Sequence, residues 1–193
     1  MKRDEGELRM NELPTIRTAR LQLRPMAVAD APRVEELVSD PEVALTTATI
    51  PHPYPKGAAV DWIERHSKGP DFGGEAVWAI VHPELGLVGA MGLRVDSQQS
   101  RAEMGYWIGK PYWGQGFATE AGAALLRYGF ETLDLNRIFA HHMRRNPASG
   151  RVMQKLRMRY EGSLRQHFRR NDRFEDLECY GILKEEYSPE AVK

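Results

Sequence analysis

Two hydrophobic periods take turns along the chain. Between residues 101 and 108, Ala102, Met104, Tyr106 and Ile108 occupy every second position, the spacing of a strand with one buried face. Gly114-Gln115-Gly116 interrupts the pattern. Ala121, Ala124, Leu125 and Tyr128 then recur at helical spacing up to Phe130. Strand, glycine loop and helix are therefore predicted in direct succession.

Alternating and helical runs flank this unit on both sides. Residues 16–23 alternate, with Leu21 and Leu23 on one face and Arg20, Gln22 and Arg24 on the other, and read as a first strand ended by Pro25. Asp30 is expected to cap a helix that carries Pro32 in its first turn and Val34, Leu37 and Val38 as its apolar stripe. A second helix is expected over residues 58–67, after the proline-rich link 50–55. Residues 75–81 and 87–95 form a hairpin turning at Pro83 and Gly86, and with 101–108 they make an antiparallel meander.

Residues 137–142 follow a helical crossover and so should lie parallel to 101–108. Asn146-Pro147-Ala148-Ser149 opens a further helix with Val152, Met153 and Leu156 on one side. Strands over 159–169 and 175–183 close the pattern as a hairpin turning at Asn171-Asp172. Residues 1–13 are charged without a period and are read as an extension, 188–193 as a tail, and 14–187 as the domain.

Composition narrows the classes. A chain of 193 residues suffices for one domain with a full core, and 41% hydrophobic with 28% charged residues suits a soluble protein. Lys+Arg 27 against Asp+Glu 27 gives no net charge, which argues against a dedicated nucleic-acid binder. No apolar run reaches membrane-spanning length, so neither nucleic acid nor membrane is expected as a direct partner. The lone Cys179 excludes an internal disulfide and, with no signal-peptide pattern, points to a cytoplasmic setting. Its alternating surroundings make it a small buried hydrophobe rather than a nucleophile. The basic tract over 151–173, which includes Arg157, Arg165, Arg169 and Arg170, is either a solvated face or a contact for a phosphate, an acidic substrate or a ribosomal surface.

The glycine loop carries the candidate chemistry. The first N–H groups of a helix lack acceptors and bear partial positive charge, so a loop without side chains lets a diphosphate approach them. The same glycines also suit a plain turn. A P-loop requires Lys-Ser/Thr where Ala118-Thr119 stands, and a dinucleotide fingerprint requires a small residue at Thr119. Neither motif fits.

Gly114-Gln115-Gly116-Phe117-Ala118-Thr119-Glu120-Ala121 resembles the coenzyme-A loop of the GNAT superfamily of N-acetyltransferases, in the branch of the ribosomal-protein N-terminal acetyltransferases RimJ and RimL. Four further segments carry the resemblance: Thr18-Ala19-Arg20-Leu21-Gln22-Leu23-Arg24-Pro25, Pro51-His52-Pro53-Tyr54, Glu103-Met104-Gly105-Tyr106-Trp107-Ile108 and Asn146-Pro147-Ala148-Ser149.

The resemblance implies an α/β (α+β) fold with a mixed, mostly antiparallel seven-stranded sheet, about four helices, and the strands 101–108 and 137–142 splayed apart. It implies transfer of an acetyl group from acetyl-CoA to a primary amine, by direct attack in a ternary complex and without a metal. The acceptor would be a protein N-terminus, such as that of a ribosomal protein, or a small amine, and the enzyme a monomer or homodimer. Cofactor contacts fall to Tyr106, Trp107 and Ile108 along the arm, to Gly114, Gln115, Gly116, Phe117 and Ala118 at the diphosphate, and to Asn146 and Ser149 near the thiol.

Ser149 is the candidate proton donor to the leaving sulfur, although Asn and Ser at a helix start also serve as caps. Glu103 is the candidate general base. His167 is a substitute, because the carboxylate that some relatives place on the penultimate strand is missing from Gln166-His167-Phe168. Tyr54, Trp62 and His52 either wall the acceptor pocket or pack onto the sheet. His141 and His142 are adjacent on a strand and point to opposite faces, so they cannot share a metal; one is expected to be packed and the other near the cleft. Trp113 stands where the superfamily often has Arg or Gln, and Arg157 where it usually has Gly. The alternatives are a silent acyl-CoA-binding or sensing module and, less well matched, a nucleotide-phosphate enzyme.

Overall fold

The computed structural model describes residues 13–66, 75–170 and 172–189. The expected N-terminal extension before Leu13, the end of the C-terminal tail, Ser67 and Asn171 lie outside them. The described strands are β1 Ile16–Arg17, β2 Gln22–Pro25, β3 Glu75–His82, β4 Gly86–Asp96, β5 Arg101–Ile108, β6 Arg137–Met143, β7 Arg159–Arg170 and β8 Arg173–Leu183. They form one eight-stranded sheet in the order β1-β2-β3-β4-β5-β6-β8-β7. Only β5 and β6 run parallel among the strand pairs.

Eight strands replace the expected seven because the alternating run 16–23 is broken. Thr18 donates its N–H to the Leu21 carbonyl at 2.9 Å, and its hydroxyl accepts the Leu21 N–H at 2.9 Å, so the chain turns back on itself. A threonine that bonds local backbone competes with ladder formation, and alternation alone carries no signal of that competition.

The helices are α1 Ala31–Val38, α2 Pro41–Thr46, α3 Ala58–His66, α4 Phe117–Arg127 and α5 Pro147–Lys155. A π-turn, Tyr128–Thr132, extends α4 through Phe130. Asp30 holds the N-cap position of α1 but makes no side-chain cap bond. Its carboxylate instead takes both forks of Arg24, each at 2.7 Å, and the Ala27 N–H at 2.9 Å. α2 has no counterpart in the sequence reading, yet it carries a start signal, with Asp40 accepting from Glu42 N at 2.8 Å and Pro41 in the first turn.

The sheet separates two apolar clusters. Trp78, Ile80, Leu93, Met104, Leu125, Leu126, Met153 and Leu156 fill the side covered by α4 and α5. Val34, Leu37, Ile63, Ala79, Ala90 and Trp107 fill the side covered by α1 and α3. Alternation along β5 decides which residues face which layer. Ala102, Met104, Tyr106 and Ile108 face α4 and α5, whereas Glu103, Gly105 and Trp107 face α1 and α3.

β5 pairs with β4 along its whole length, from Arg101↔Asp96 to Ile108↔Gly89. β6 pairs with β8 along its whole length, from Arg137↔Leu183 to Met143↔Leu177. Between β5 and β6 the ladder covers only Arg101↔Arg137, Ala102↔Ile138 and Glu103↔Phe139. Each strand thus follows its outer neighbour and the sheet opens beyond Glu103, as expected for the two strands.

Arg157 exits α5 with φ +62, the left-handed geometry expected of the glycine that the resemblance implies at this position. The backbone path is therefore kept and the arginine carries its steric cost. Arg157→Gly should raise stability by about 0.5–1 kcal/mol, with the unfolded-state entropy of glycine offsetting part of the relief. Paired thermal melts check the sign of the change.

Candidate active site

The glycine loop lies between β5 and α4. Gly114 and Gly116 adopt φ +75 and φ +84, open only to residues that tolerate the left-handed region. A Cβ at Gly114 would meet nothing within 4 Å, so the bare edge of the loop faces open space. Among the described residues, no acceptor takes the N–H groups of Gly114, Gln115, Gly116, Phe117 or Ala118. Such a row of free donors at a helix start fits a diphosphate.

A brace holds the loop from behind. Glu120 in the first turn of α4 accepts from Thr18 Oγ1 at 2.6 Å, Arg20 N at 2.7 Å and Arg20 Nε at 2.7 Å. The same guanidinium donates to the Gln115 carbonyl at 3.1 Å and sits over the Phe117 ring at 4.9 Å. Burial pushes the Glu120 carboxyl up, but the bonds from Thr18 and Arg20 together hold it below the usual carboxylate range. Arg20 thus brings a positive charge beside the free amides, a role that its motif neighbours do not announce.

The gap between β5 and β6 opens past Glu103 and runs to the end of β5, from which the chain continues into this loop. Ser100 turns its carbonyl to the start of β6, accepting Asn136 N at 2.6 Å and Arg137 N at 3.3 Å. Strand alternation then directs the backbone groups of Ala102, Met104, Tyr106 and Ile108 to the same edge. Past the end of the β5–β6 ladder, Tyr106 offers an N–H and a carbonyl to the gap and Ile108 offers an N–H. The Ile108 carbonyl is taken by Trp113 Nε1 at 2.7 Å. Trp107 departs from the sequence expectation: its backbone faces β4, opposite Ala90, and its side chain is buried under α1 and α3. It supports the strand and offers nothing to the gap.

The two faces of β5 carry different chemistry. On the α1/α3 face, Glu103 meets His141 Nδ1 at 3.3 Å and Arg94 Nη1 at 3.4 Å. A carboxylate only accepts, so Nδ1 of His141 is the protonated nitrogen and Nε2 is left for another partner. The His141 hydrogen bond, opposed by burial and aided by the charge of Arg94, holds the Glu103 carboxyl below its ordinary value. Gly105 stands beside it, and a Cβ there would enter open space. On the α4/α5 face, Tyr106 donates its O–H to Ser149 Oγ at 2.9 Å, and Ser149 is 9% exposed. Burial pushes the Tyr106 hydroxyl up to about 12, against the hydrogen bond to Ser149, so it remains a donor.

Asn146 caps α5 as its residue type suggests, with Oδ1 accepting Ser149 N at 3.3 Å. Its amide also donates to the Thr46 carbonyl at 3.1 Å, which fastens the end of α2 to the start of α5. His167 lies exposed on β7, in the irregular stretch between Leu164 and Phe168, and no contact joins it to Glu103 or Ser149. His142 takes the opposite face from His141 and stacks on Tyr180 at 5.7 Å. Tyr54 and Trp62 pack against the α1/α3 cluster, whereas His52 lines a surface cavity. Burial, joined by Glu161 and Glu178, pushes the half-buried Cys179 thiol up, away from nucleophilic use. Among the described residues, no group of three or more His, Cys, Asp or Glu could hold a metal, and no helix is long and apolar enough to cross a membrane.

Comparison with known proteins adds the following. Residues 20–159 match the acetyltransferase (GNAT) domain family. The chain is 34% identical over 178 residues to the uncharacterized N-acetyltransferase p20 of Bacillus licheniformis, a likeness spanning 91% of this chain and 99% of that protein. It is 29% identical over 111 residues to the ribosomal-protein-serine acetyltransferase of Escherichia coli, over 57% of this chain and 62% of that one. The crystal structure of a GNAT-family acetyltransferase from Bacillus anthracis superposes with a TM-score of 0.80 at 26% identity, covering 90% of this chain and 100% of that one.

The brace behind the loop has a measurable pH signature. A carboxyl whose folded value is depressed stabilises the fold above its unfolded value, and that contribution is lost as pH falls through the folded one. Glu120→Gln should therefore cost about 1–2 kcal/mol at neutral pH, with the wild-type advantage shrinking below roughly pH 4. Melts of both proteins across that range check it.

Proposed function

Because the chain belongs to the GNAT family of acetyltransferases, we propose that it moves an acetyl group from acetyl-CoA directly to a primary amine bound at the same time, the acceptor being a protein N-terminus or a small amine. The observation that carries this reading is the short β5–β6 ladder beside a loop of free amides. Acetyl-CoA supplies an activated thioester. The free amides of residues 114–118 and the charge of Arg20 suit its diphosphate, and the open edge of β5 suits its pantetheine arm. From Ile108 to Glu103 the strand runs about 17 Å at roughly 3.3 Å per residue, within reach of such an arm from the loop. The acyl end would then lie near Gly105 and Glu103.

The faces of β5 divide the proton traffic. Glu103, directly or through His141 or a water, takes a proton from the amine arriving on the α1/α3 face. N–H groups on the open edge of β5 hold the acyl oxygen as charge develops on it. On the other face, Ser149 gives its proton to the departing sulfur while Tyr106 donates to Ser149. That chain works because the Tyr106 O–H points at Ser149 Oγ, leaving the serine proton free to turn outward. The amine thus adds to the carbonyl carbon on the side of Glu103, and the tetrahedral intermediate collapses with the thiolate leaving, protonated, on the side of Ser149.

The strength of base required depends on the acceptor. At pH 7 an α-amine with a pKa near 8 costs only about 1–1.5 kcal/mol to deprotonate, against about 4.5 kcal/mol for a lysine side chain. A carboxylate held below its ordinary value, as Glu103 is, suits the easier case. A second reading, a silent acyl-CoA sensor, draws on the same fact, since Glu103 is already paired with His141 and Arg94.

Calorimetric titration with acetyl-CoA, followed by a thiol-release assay over peptides and small amines, tests both readings. Binding with thiol release is expected. Failure to bind overturns the proposal, and binding without release from any amine replaces it with the sensor. Ser149→Ala should lower kcat about 10–100-fold while acetyl-CoA affinity stays within a few-fold, since the lost group acts on the leaving sulfur. Steady-state kinetics and the same titration check it.

A further inference from the structure

The last rung of the β5–β6 ladder joins Glu103 to Phe139. Continued by two residues on each strand, the same parallel register would set His141 opposite Gly105. The strands have parted by then, but the side chain of His141 crosses the mouth of the opening and brings Nδ1 to 3.3 Å from Glu103 Oε1. Strand parity puts it on the α1/α3 face with Phe139 and Glu103, because Ile138 and Ala140 belong to the opposite layer. His141 therefore stands at the stretch from Glu103 to Gly105, where a Cβ on Gly105 would enter open space.

The imidazole is held at its base and open at its tip. His141 pairs with Cys179 within the unbroken β6–β8 ladder, and the Phe139 ring packs edge-on against it at 5.4 Å. With Nδ1–H given to a carboxylate, the neutral ring carries its lone pair on Nε2. That nitrogen has no hydrogen-bond partner among the described residues, and it is not buried. Glu161 on β7 also feels the charge of His141, but its carboxylate is bonded to Arg137 at 2.5 Å.

Glu103 is placed differently. One of its oxygens holds His141, and the other meets Arg94 Nη1 at 3.4 Å, an arginine shared with Glu75 at 3.7 Å. The His141 hydrogen bond, against burial and with the charge of Arg94, keeps this carboxyl below its ordinary value, which makes it a weak base. Even an ordinary carboxylate, at about 4.3, lies about two units below an ordinary imidazole, at about 6.5, which is roughly a hundredfold in the equilibrium for taking a proton from an amine. A carboxylate that fixes the ring and offsets the charge it acquires is the usual companion of an imidazole base.

We propose that His141 is the catalytic base of the transfer, with Nε2 as the atom that meets the acceptor amine, and that Glu103 is a positioning residue acting through it. The inference rests on the acetyl-transfer reading above and assigns the amine's proton to one atom. Nε2 takes a proton from the arriving ammonium, and Glu103 offsets the charge of the imidazolium. The lone pair so freed forms the C–N bond while the carbonyl π pair moves to oxygen. That pair returns as the C–S bond breaks, and the bond's electrons leave with the sulfur, which takes the proton of Ser149. The second proton on nitrogen passes to solvent, from which Ser149 regains one, and loss of the imidazolium proton to solvent resets the ring.

Thiol release with an amine that wild type acetylates is measured on wild type, His141→Ala, His141→Gln and Glu103→Gln, with and without added imidazole. Calorimetric titration with acetyl-CoA accompanies each variant. Both His141 variants should lose about 100–1,000-fold in kcat with donor affinity within a few-fold, and imidazole should restore part of the rate of His141→Ala in a saturable manner. Glu103→Gln, whose amide oxygen still accepts from Nδ1, should lose about tenfold and gain nothing from imidazole. A loss in Glu103→Gln equal to or greater than that in the His141 variants overturns the proposal and makes Glu103 the base. No rise with imidazole in a His141→Ala that still binds acetyl-CoA overturns it too, leaving His141 as a support for Glu103. Should His141→Ala fail to bind acetyl-CoA, His141→Gln decides the comparison with Glu103→Gln. Absence of thiol release from every amine with wild type defeats the acetyl-transfer reading itself, and the assignment of His141 falls with it.

Discussion

Everything at the candidate site depends on how little of β5 is hydrogen-bonded to β6. Had the two strands paired along their lengths, the backbone groups of Tyr106 and Ile108 would be consumed and no arm could lie between them. The ladder stops at Glu103 because β6 is committed to β8 over its whole length and β5 to β4 over its own. Unpaired strand edges are normally a liability. Here one is sheltered inside a sheet by α4 and α5, which leaves it available to a slender ligand and closed to another chain.

Strand alternation does a second service. The same residues that build the open edge divide their side chains between two layers, so that a carboxylate and a hydroxyl pair occupy opposite sides of one strand. Bases and acids that face each other across a small site tend to neutralise one another. The thickness of the sheet keeps Glu103 and Ser149 apart without any added structure.

Much of this was legible in the letters. β5 and the start of α4 follow from alternation, glycines and helical spacing, and the parallel placement of β6 follows from its crossover. The breaks come where a local bond competes with a period. Thr18 folds a run that looks like one strand, and Asp30 prefers Arg24 to the helix it precedes. Trp107 shares a motif with Tyr106 and Ile108, but strand parity turns its backbone to β4 and away from the opening. His141 was visible only as half of an adjacent pair. Its partnership with Glu103 arises from a parallel register whose offset no single segment encodes. Arg20 acts across a long stretch of chain, and composition sees it only as charge.

The tie between Arg20 and Glu120 joins residues a hundred positions apart. The small outer hairpin of β1 and β2 is, in mechanical terms, the buttress of the glycine loop and not an ornament on the sheet's rim. Any piece of the chain that begins at β3 would retain the glycines, the helix and the opened strands, yet the loop would have lost its backing. The loop and its backing are therefore discontinuous in sequence, with α1, α2 and α3 coming between the residues that brace it and the start of β3.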